Sequence, residues 1–143
     1  MGRSYWFECG RCGYRAKVAG KADRGLNVFV QTVACQDCKE LYDAVTRVRV
    51  PAESAEKGRF KALGWRQPNW LARPRISATP PTFQSLLALL PYTGAKRFRW
   101  LWFNLQCPVS PLHRVRAWTA PGKCPKCQVF FLEQTVLPYR IWD

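Results

Sequence analysis

Six of the seven cysteines fall in three C-x-x-C pairs, Cys9/Cys12, Cys35/Cys38 and Cys124/Cys127, and the seventh, Cys107, lies shortly before the single histidine, His113. This spacing is too tight for ordinary structural disulfides and suits a metal. A C-x-x-C turn sets two sulfurs on one side of a tight backbone loop whose amides point at the thiolates, and two such turns complete a tetrahedron at Zn–S distances of ~2.3 Å. A chain of 143 residues divided by such pairs yields units too small to bury a large core each. Metal then supplies what burial does not.

Taken in chain order, the ligands predict two structural zinc ions. The first site is Cys9, Cys12, Cys35 and Cys38, with twenty-two residues between the pairs. Gly13 offers the positive φ that the residue after such a turn needs. The second is a site of three cysteines and one histidine, Cys107, His113, Cys124 and Cys127, in which Ser110 stands where a second cysteine of the knuckle would fall. Redox-active dithiols or free buried cysteines are the alternatives for the first site, and no βαβ pattern surrounds either pair to support a redox role. For the second, water in the fourth position would make the zinc catalytic, but no carboxylate lies between Lys57 and Leu132 to assist it.

Alternating hydrophobicity predicts a mainly β chain, with strands near Tyr5–Glu8, Tyr14–Val18, Asn27–Val33 and Leu41–Val50, and a turn at Lys21–Gly25. Residues 51–95 carry six prolines, which exclude a regular sheet there. Short helices are expected at Ala52–Leu63 and at Phe83–Leu90, the latter capped by Thr82 and ended by Pro91. Residues 96–106, 114–118 and 129–136 read as a second set of strands. The organisation expected is a zinc ribbon over 1–50, a basic Pro-rich and aromatic insert over 51–95, and a second ribbon-like unit over 96–143.

On the strength of Cys9-Gly10-Arg11-Cys12-Gly13, Cys35-Gln36-Asp37-Cys38 and the later Cys/His set, the chain resembles a double zinc-ribbon protein, and in Ala22-Asp23-Arg24-Gly25 and Cys35-Gln36-Asp37-Cys38-Lys39-Glu40-Leu41-Tyr42-Asp43 it is similar to small uncharacterised bacterial zinc-ribbon proteins. The resemblance covers residues 4–50 and, in part, 98–137. It implies a metal-built β fold and leaves function open, because ribbons serve both as nucleic-acid readers and as protein docking modules.

Charge narrows the choice. The formal charge is +14, and seven thiolates outweigh two zinc ions by only three charges, so a strongly basic protein remains. Residues 1–56 hold nine Lys/Arg and seven Asp/Glu, whereas residues 57–132 hold thirteen Lys/Arg and no acid. Excluding every carboxylate from so long a stretch points to a polyanionic partner. Lys57, Arg59, Lys61, Arg66, Arg73 and Arg75 alternate with aromatics that include Trp65 and Trp70, and Lys96, Arg97 and Arg99 precede Trp100 and Trp102. Cations neutralise phosphates and aromatic faces stack on unpaired bases, a combination that favours RNA or single strands. Trp100 and Trp102, in a strand apolar on both faces after Arg99, are expected in the core. The reading is a non-enzymatic, zinc-stabilised nucleic-acid-binding protein of the reducing cytoplasm, the alternative being an adaptor that docks on an acidic protein. Neither a secretory leader nor a membrane span is expected: the longest aliphatic run, Leu86–Leu90, falls far short of the ~20 residues a span needs.

Overall fold

The structure, a computed structural model, describes residues 1–51, 75–76 and 98–142. Among these it is all β: β1 (Gly2–Glu8), β2 (Arg15–Val18), β3 (Ala22–Arg24), β4 (Val28–Cys35), β5 (Glu40–Pro51), β6 (Arg75–Ile76), β7 (Phe98–Phe103), β8 (Val115–Ala117), β9 (Glu133–Gln134) and β10 (Arg140–Trp142). The helices expected at 52–63 and 83–90 lie outside the described residues.

Two sheets result. In the first, β1 pairs antiparallel with β2, with β9 and with β10. The second has the order β3-β4-β5-β7-β6, with β8 also paired to β4. Strands from the C-terminal stretch therefore complete sheets begun by the N-terminal stretch: Phe7 faces Gln134, Gly2 faces Trp142, Val33 faces Ala117 and Val48 faces Leu101. The turn expected at Lys21–Gly25 is instead strand β3. Asp23 there accepts the amide protons of Arg3 and Arg24, both at 2.8 Å, and the chain reverses after Gly25, whose N–H reaches the Val28 carbonyl. Despite the prolines of the insert, Arg75–Ile76 adds a short parallel strand beside β7.

Each sheet buries one face for a reason visible in its residues. Along β5, Val45, Val48 and Val50 are buried, which strict alternation from Val45 would forbid. A β-bulge resolves the conflict. The register moves from Phe29↔Arg47 to Val30↔Val45, so Thr46 is the extra residue and Arg47 and Arg49 turn to the opposite face. These valines join Val28, Val30, Leu101, Phe103 and Trp142 in one core cluster. A second cluster gathers Phe7, Val18, Leu41 and Trp118 around Cys9 and Cys124. Gly20 serves this second cluster: at φ +82° it passes so near Phe7 that a Cβ would stand 2.5 Å from the ring.

A buried polar clamp ties the two sheets together. Thr32, fully buried on β4, donates its hydroxyl proton to Asp43 on β5 at 2.7 Å and accepts the Gly20 amide proton at 2.9 Å. Both Asp43 oxygens also lie within 3.0 Å of the Ala19 N–H. Burial pushes the Asp43 carboxyl up from 3.8 to about 6, while the Thr32 and Ala19 hydrogen bonds pull it down. Its folded value exceeds its unfolded one, so its contribution to stability is full below pH 3.8 and is lost as pH rises through about 6. NMR titration of the zinc-loaded protein should place the Asp43 carboxyl near 6. Thr32→Val should move it higher, because a bond favouring the ionised form is gone. By stranding the Gly20 N–H as well, the same change should cost about 3 kcal/mol in denaturant unfolding. A loss under ~0.5 kcal/mol would mean that the clamp does not hold the sheets.

Candidate metal centres

Cys9/Cys12 and Cys35/Cys38 lie in the hairpins β1–β2 and β4–β5, Cys124/Cys127 in a turn flanked by the isolated bridge Lys123↔Phe131, and the backbone folds all three in the same way. The amide of the residue four positions after the first cysteine returns to that cysteine's carbonyl: Gly13 to Cys9 at 3.0 Å, Lys39 to Cys35 at 3.0 Å and Gln128 to Cys124 at 2.9 Å. All three returning residues have positive φ, +69°, +56° and +56°. The conformation expected for Gly13 thus holds for the other two knuckles as well, where a side chain bears the strain. The Cys107–His113 arm is built differently. Ser110 is no ligand; its carbonyl accepts the His113 amide proton and its hydroxyl the Leu112 amide proton, closing the longer loop. Two further bonds hold this arm against the middle knuckle, Arg114 N–H to Asp37 Oδ2 at 2.7 Å and Gln36 N–H to the Arg114 carbonyl at 2.9 Å.

All eight expected ligands meet in two groups of four, but the division by chain order is corrected. Cys9 and Cys12 join Cys124 and Cys127, while Cys35 and Cys38 join Cys107 and His113, with the ligand atoms of each group within 4.8 Å of one another. The pairs are nested, outermost with outermost and inner with inner. Sheet pairing imposes this result. β1, which leads into Cys9, is flanked by β2 and β9, and β9 follows the Cys124–Cys127 knuckle; β4, which ends at Cys35, is flanked by β8, just beyond His113.

The distances are those of ligands around an ion. Sulfurs of Cys9 and Cys127, of Cys12 and Cys124, and of Cys38 and Cys107 are each 3.7 Å apart. A disulfide would require ~2.05 Å, whereas four sulfurs at ~2.3 Å from a central ion have tetrahedral edges of ~3.8 Å. His113 Nδ1 lies 3.2 Å from Cys38 Sγ and 3.8 Å from Cys35 Sγ, bracketing the ~3.5 Å edge expected for mixed N and S ligands. Each group can therefore hold one metal ion.

Backbone dipoles prepare the sulfurs unequally. The amides of Phe130 and Val129 draw the Cys127 thiol down to about 6. Burial pushes Cys124 up to about 12, against the amides of Cys127 and Lys126. In the other group burial, followed by sharing of protons with Cys35 and Cys107, raises Cys38 to about 11; for Cys35 burial acts upward, but the amides of Cys38 and Asp37 bring the net below its ordinary value. Thiolates crowded this closely repel, and a divalent cation at the centre removes the repulsion. Tyr14 links the two centres, accepting the Leu41 amide proton at 2.8 Å beyond the second knuckle while following the first. Burial raises its phenol to about 12, which keeps it neutral.

The residues expected to contact nucleic acid fare differently. Lys57, Arg59, Lys61, Trp65, Arg66, Trp70, Arg73, Lys96 and Arg97 lie outside the described residues. Arg75 is placed by its backbone opposite Trp102. Arg99 is half-buried and shares its side of β7 with the buried Leu101 and Phe103, away from Trp100 and Trp102. Those two tryptophans, expected in the core, are on the outer side: Trp100 is exposed and Trp102 half-buried. The cause lies on β5, where Arg47 and Arg49 stand opposite Trp102 and Trp100 and make that side of the sheet cationic.

Together these features define a small, mainly β protein in which each of two sheets carries one group of four Cys/His side chains able to hold a metal ion. No protein-family model, curated protein or solved structure matches the chain. No helix among the described residues is long and apolar enough to cross a membrane.

Proposed function

We propose that the chain is a zinc-stabilised, non-enzymatic nucleic-acid-binding protein that takes RNA or single strands. The observation that carries this reading is the run of thirteen cations without one acid across residues 57–132. Arg114, Arg116, Lys123 and Lys126 within it are exposed, and Arg116 and Lys123 line a cleft of about 630 Å³ beside Cys35 and Cys124 with Gln36 and Gln128. A cleft bordered by two cations and two amides suits phosphate oxygens. Zinc is the metal that best fits an all-cysteine set and a set of three cysteines with one histidine. Four protein donors close each tetrahedron and leave no position for an activated water, which supports a structural role for both ions.

If about five cations meet phosphates, log K should fall against log salt with a slope of roughly −3.5 on single strands. Affinity would drop about 100-fold between 50 and 200 mM salt. Fluorescence anisotropy of zinc-loaded protein with a labelled single strand measures it. Absence of binding at low salt would end the reading.

A second reading, an adaptor docking on an acidic protein, draws on the apolar surface near the C-terminus. Phe130, Phe131, Leu137, Tyr139 and Ile141 are all exposed by half or more, and cations sit among the aromatics, Arg11 over Phe130 and Lys17 over Tyr139. Association of this kind would persist at salt concentrations that release nucleic acid, since apolar burial is not screened.

A further inference from the structure

The outer face of the second sheet joins cations to aromatic rings in a regular pattern. Bulge and alternation bring Phe29 of β4, Arg47 and Arg49 of β5, and Phe98, Trp100 and Trp102 of β7 to one side, while Val28, Val48, Leu101 and Phe103 take the other. The contacts interlock. The Arg47 guanidinium lies 3.5 Å above the centre of the Trp102 ring and 5.1 Å from that of Phe29; Arg49 sits 4.2 Å over Phe98; and Phe29 meets Trp100 edge to face across β5 at 5.2 Å. Arginine so placed is held flat by the ring beneath and keeps its N–H edge free for phosphate, and its own plane can carry a base. None of these six residues is acidic. At the β3 edge the nearby carboxylate, Asp23, is already engaged by two backbone amides. A groove of about 540 Å³ continues the face toward that edge past Arg47, Gln31, Arg24 and Lys21.

We infer that this cation–aromatic face is the platform on which unpaired bases stack, Trp100 offering an open aromatic surface and Arg47 and Arg49 holding the flanking phosphates. The inference rests on the nucleic-acid reading above and assigns that binding to a definite surface. It takes single strands rather than duplex, because a flat sheet face reaches the π surface of a base only when the base is unstacked. It is also indifferent to sequence, since every base has such a surface. A partly exposed tryptophan, 37% accessible amid paired arginines, fits a contact surface better than a core.

The test uses the full zinc-loaded chain with two probes, a single-stranded thymidylate 12-mer and inorganic polyphosphate, which carries charge without bases. Trp100→Ala should weaken the 12-mer about ten-fold and leave polyphosphate unchanged, as loss of one stacked base predicts. Trp100→Phe, which keeps an aromatic ring, should recover most of that loss and guards against a folding defect; zinc content checks the fold of each variant. Arg47→Ala with Arg49→Ala should weaken both probes and make the salt slope shallower by about 1.4. Tight 12-mer binding that Trp100→Ala does not alter would overturn the platform while leaving the nucleic-acid reading intact. Failure of the unaltered protein to bind the 12-mer at low salt would overturn both.

Discussion

Cys124→Ser should lower the zinc content from two ions per chain to about one and should abolish the all-sulfur centre, even though Cys9, Cys12, Cys35 and Cys38 all remain. The reason is the nested ligand arrangement: Cys124 completes the group of Cys9, Cys12 and Cys127, at 3.7 Å from Cys12. With cadmium in place of zinc, the all-sulfur resonance should vanish and the mixed sulfur–nitrogen resonance, belonging to Cys35, Cys38, Cys107 and His113, should persist. Cys38→Ser and His113→Ala should do the converse. A chain-order division would preserve the all-sulfur signal in Cys124→Ser, so one spectrum separates the two arrangements. The effect is large because a structural zinc site contributes roughly 10 kcal/mol or more, comparable with the ~5–15 kcal/mol that holds a whole domain together. Beyond the metal, amide exchange should accelerate in β1, β9 and β10, since Glu8 leads directly into Cys9 and faces Glu133 on the strand following the outer knuckle. Exchange confined to residues 124–128 would show that the centre does not pin the sheet.

Why the sequence pointed to eight side chains that the structure gathers into two groups, yet misassigned their partners, follows from how locally each is determined. A C-x-x-C knuckle is closed within five residues by its own backbone, as Cys9–Gly13, Cys35–Lys39 and Cys124–Gln128 illustrate. Partner choice is a long-range matter, and donor chemistry does not decide it, because both divisions yield one all-cysteine set and one set of three cysteines with a histidine. Loop entropy decides little more. Joining Cys12 to Cys124 rather than to Cys35 lengthens the loop about five-fold, which costs only ~1.4 kcal/mol, far less than the metal contributes. What settles it is the pairing of β1 with β9 and of β4 with β8, strands of two and three residues on the C-terminal side. Both fall within stretches the sequence marks as strands, 114–118 and 129–136, but two or three paired residues do not name the strand they will pair with. The main strands were legible because valines and aromatics alternate in them, and β5 was placed correctly although its bulge at Thr46 was not foreseen. Trp100 and Trp102 misled for a related reason: an apolar run looks the same whether a strand is buried on both faces or lies beside a row of arginines, and only the cross-strand register to Arg47 and Arg49 distinguishes the cases.

Phe7→Ala should be among the most damaging changes that touch no ligand, lowering stability by about 3–5 kcal/mol in denaturant unfolding at saturating zinc. Phe7 is fully buried in the cluster around Cys9 and Cys124 and meets the Trp118 ring edge to face at 5.3 Å. The space it leaves cannot close easily. Gly20, pressed against its ring, belongs to the turn held by Thr32 and Asp43, and the Trp118 indole N–H is bonded to the Lys123 carbonyl just before the outer knuckle. Because metal binding is coupled to folding, part of the lost free energy should appear as weaker zinc affinity. The centre affected first should be the one whose ligands line the cavity. In a chelator titration the variant should therefore surrender zinc from Cys9, Cys12, Cys124 and Cys127 at a chelator strength about two orders of magnitude below that needed for the unaltered protein, before the His113 centre. Equal loss from both centres would mean that they share one cooperative core. A stability change below ~1 kcal/mol would mean that the sheets relax around the missing ring, and that metal rather than the ring holds Cys9 and Cys124 in register.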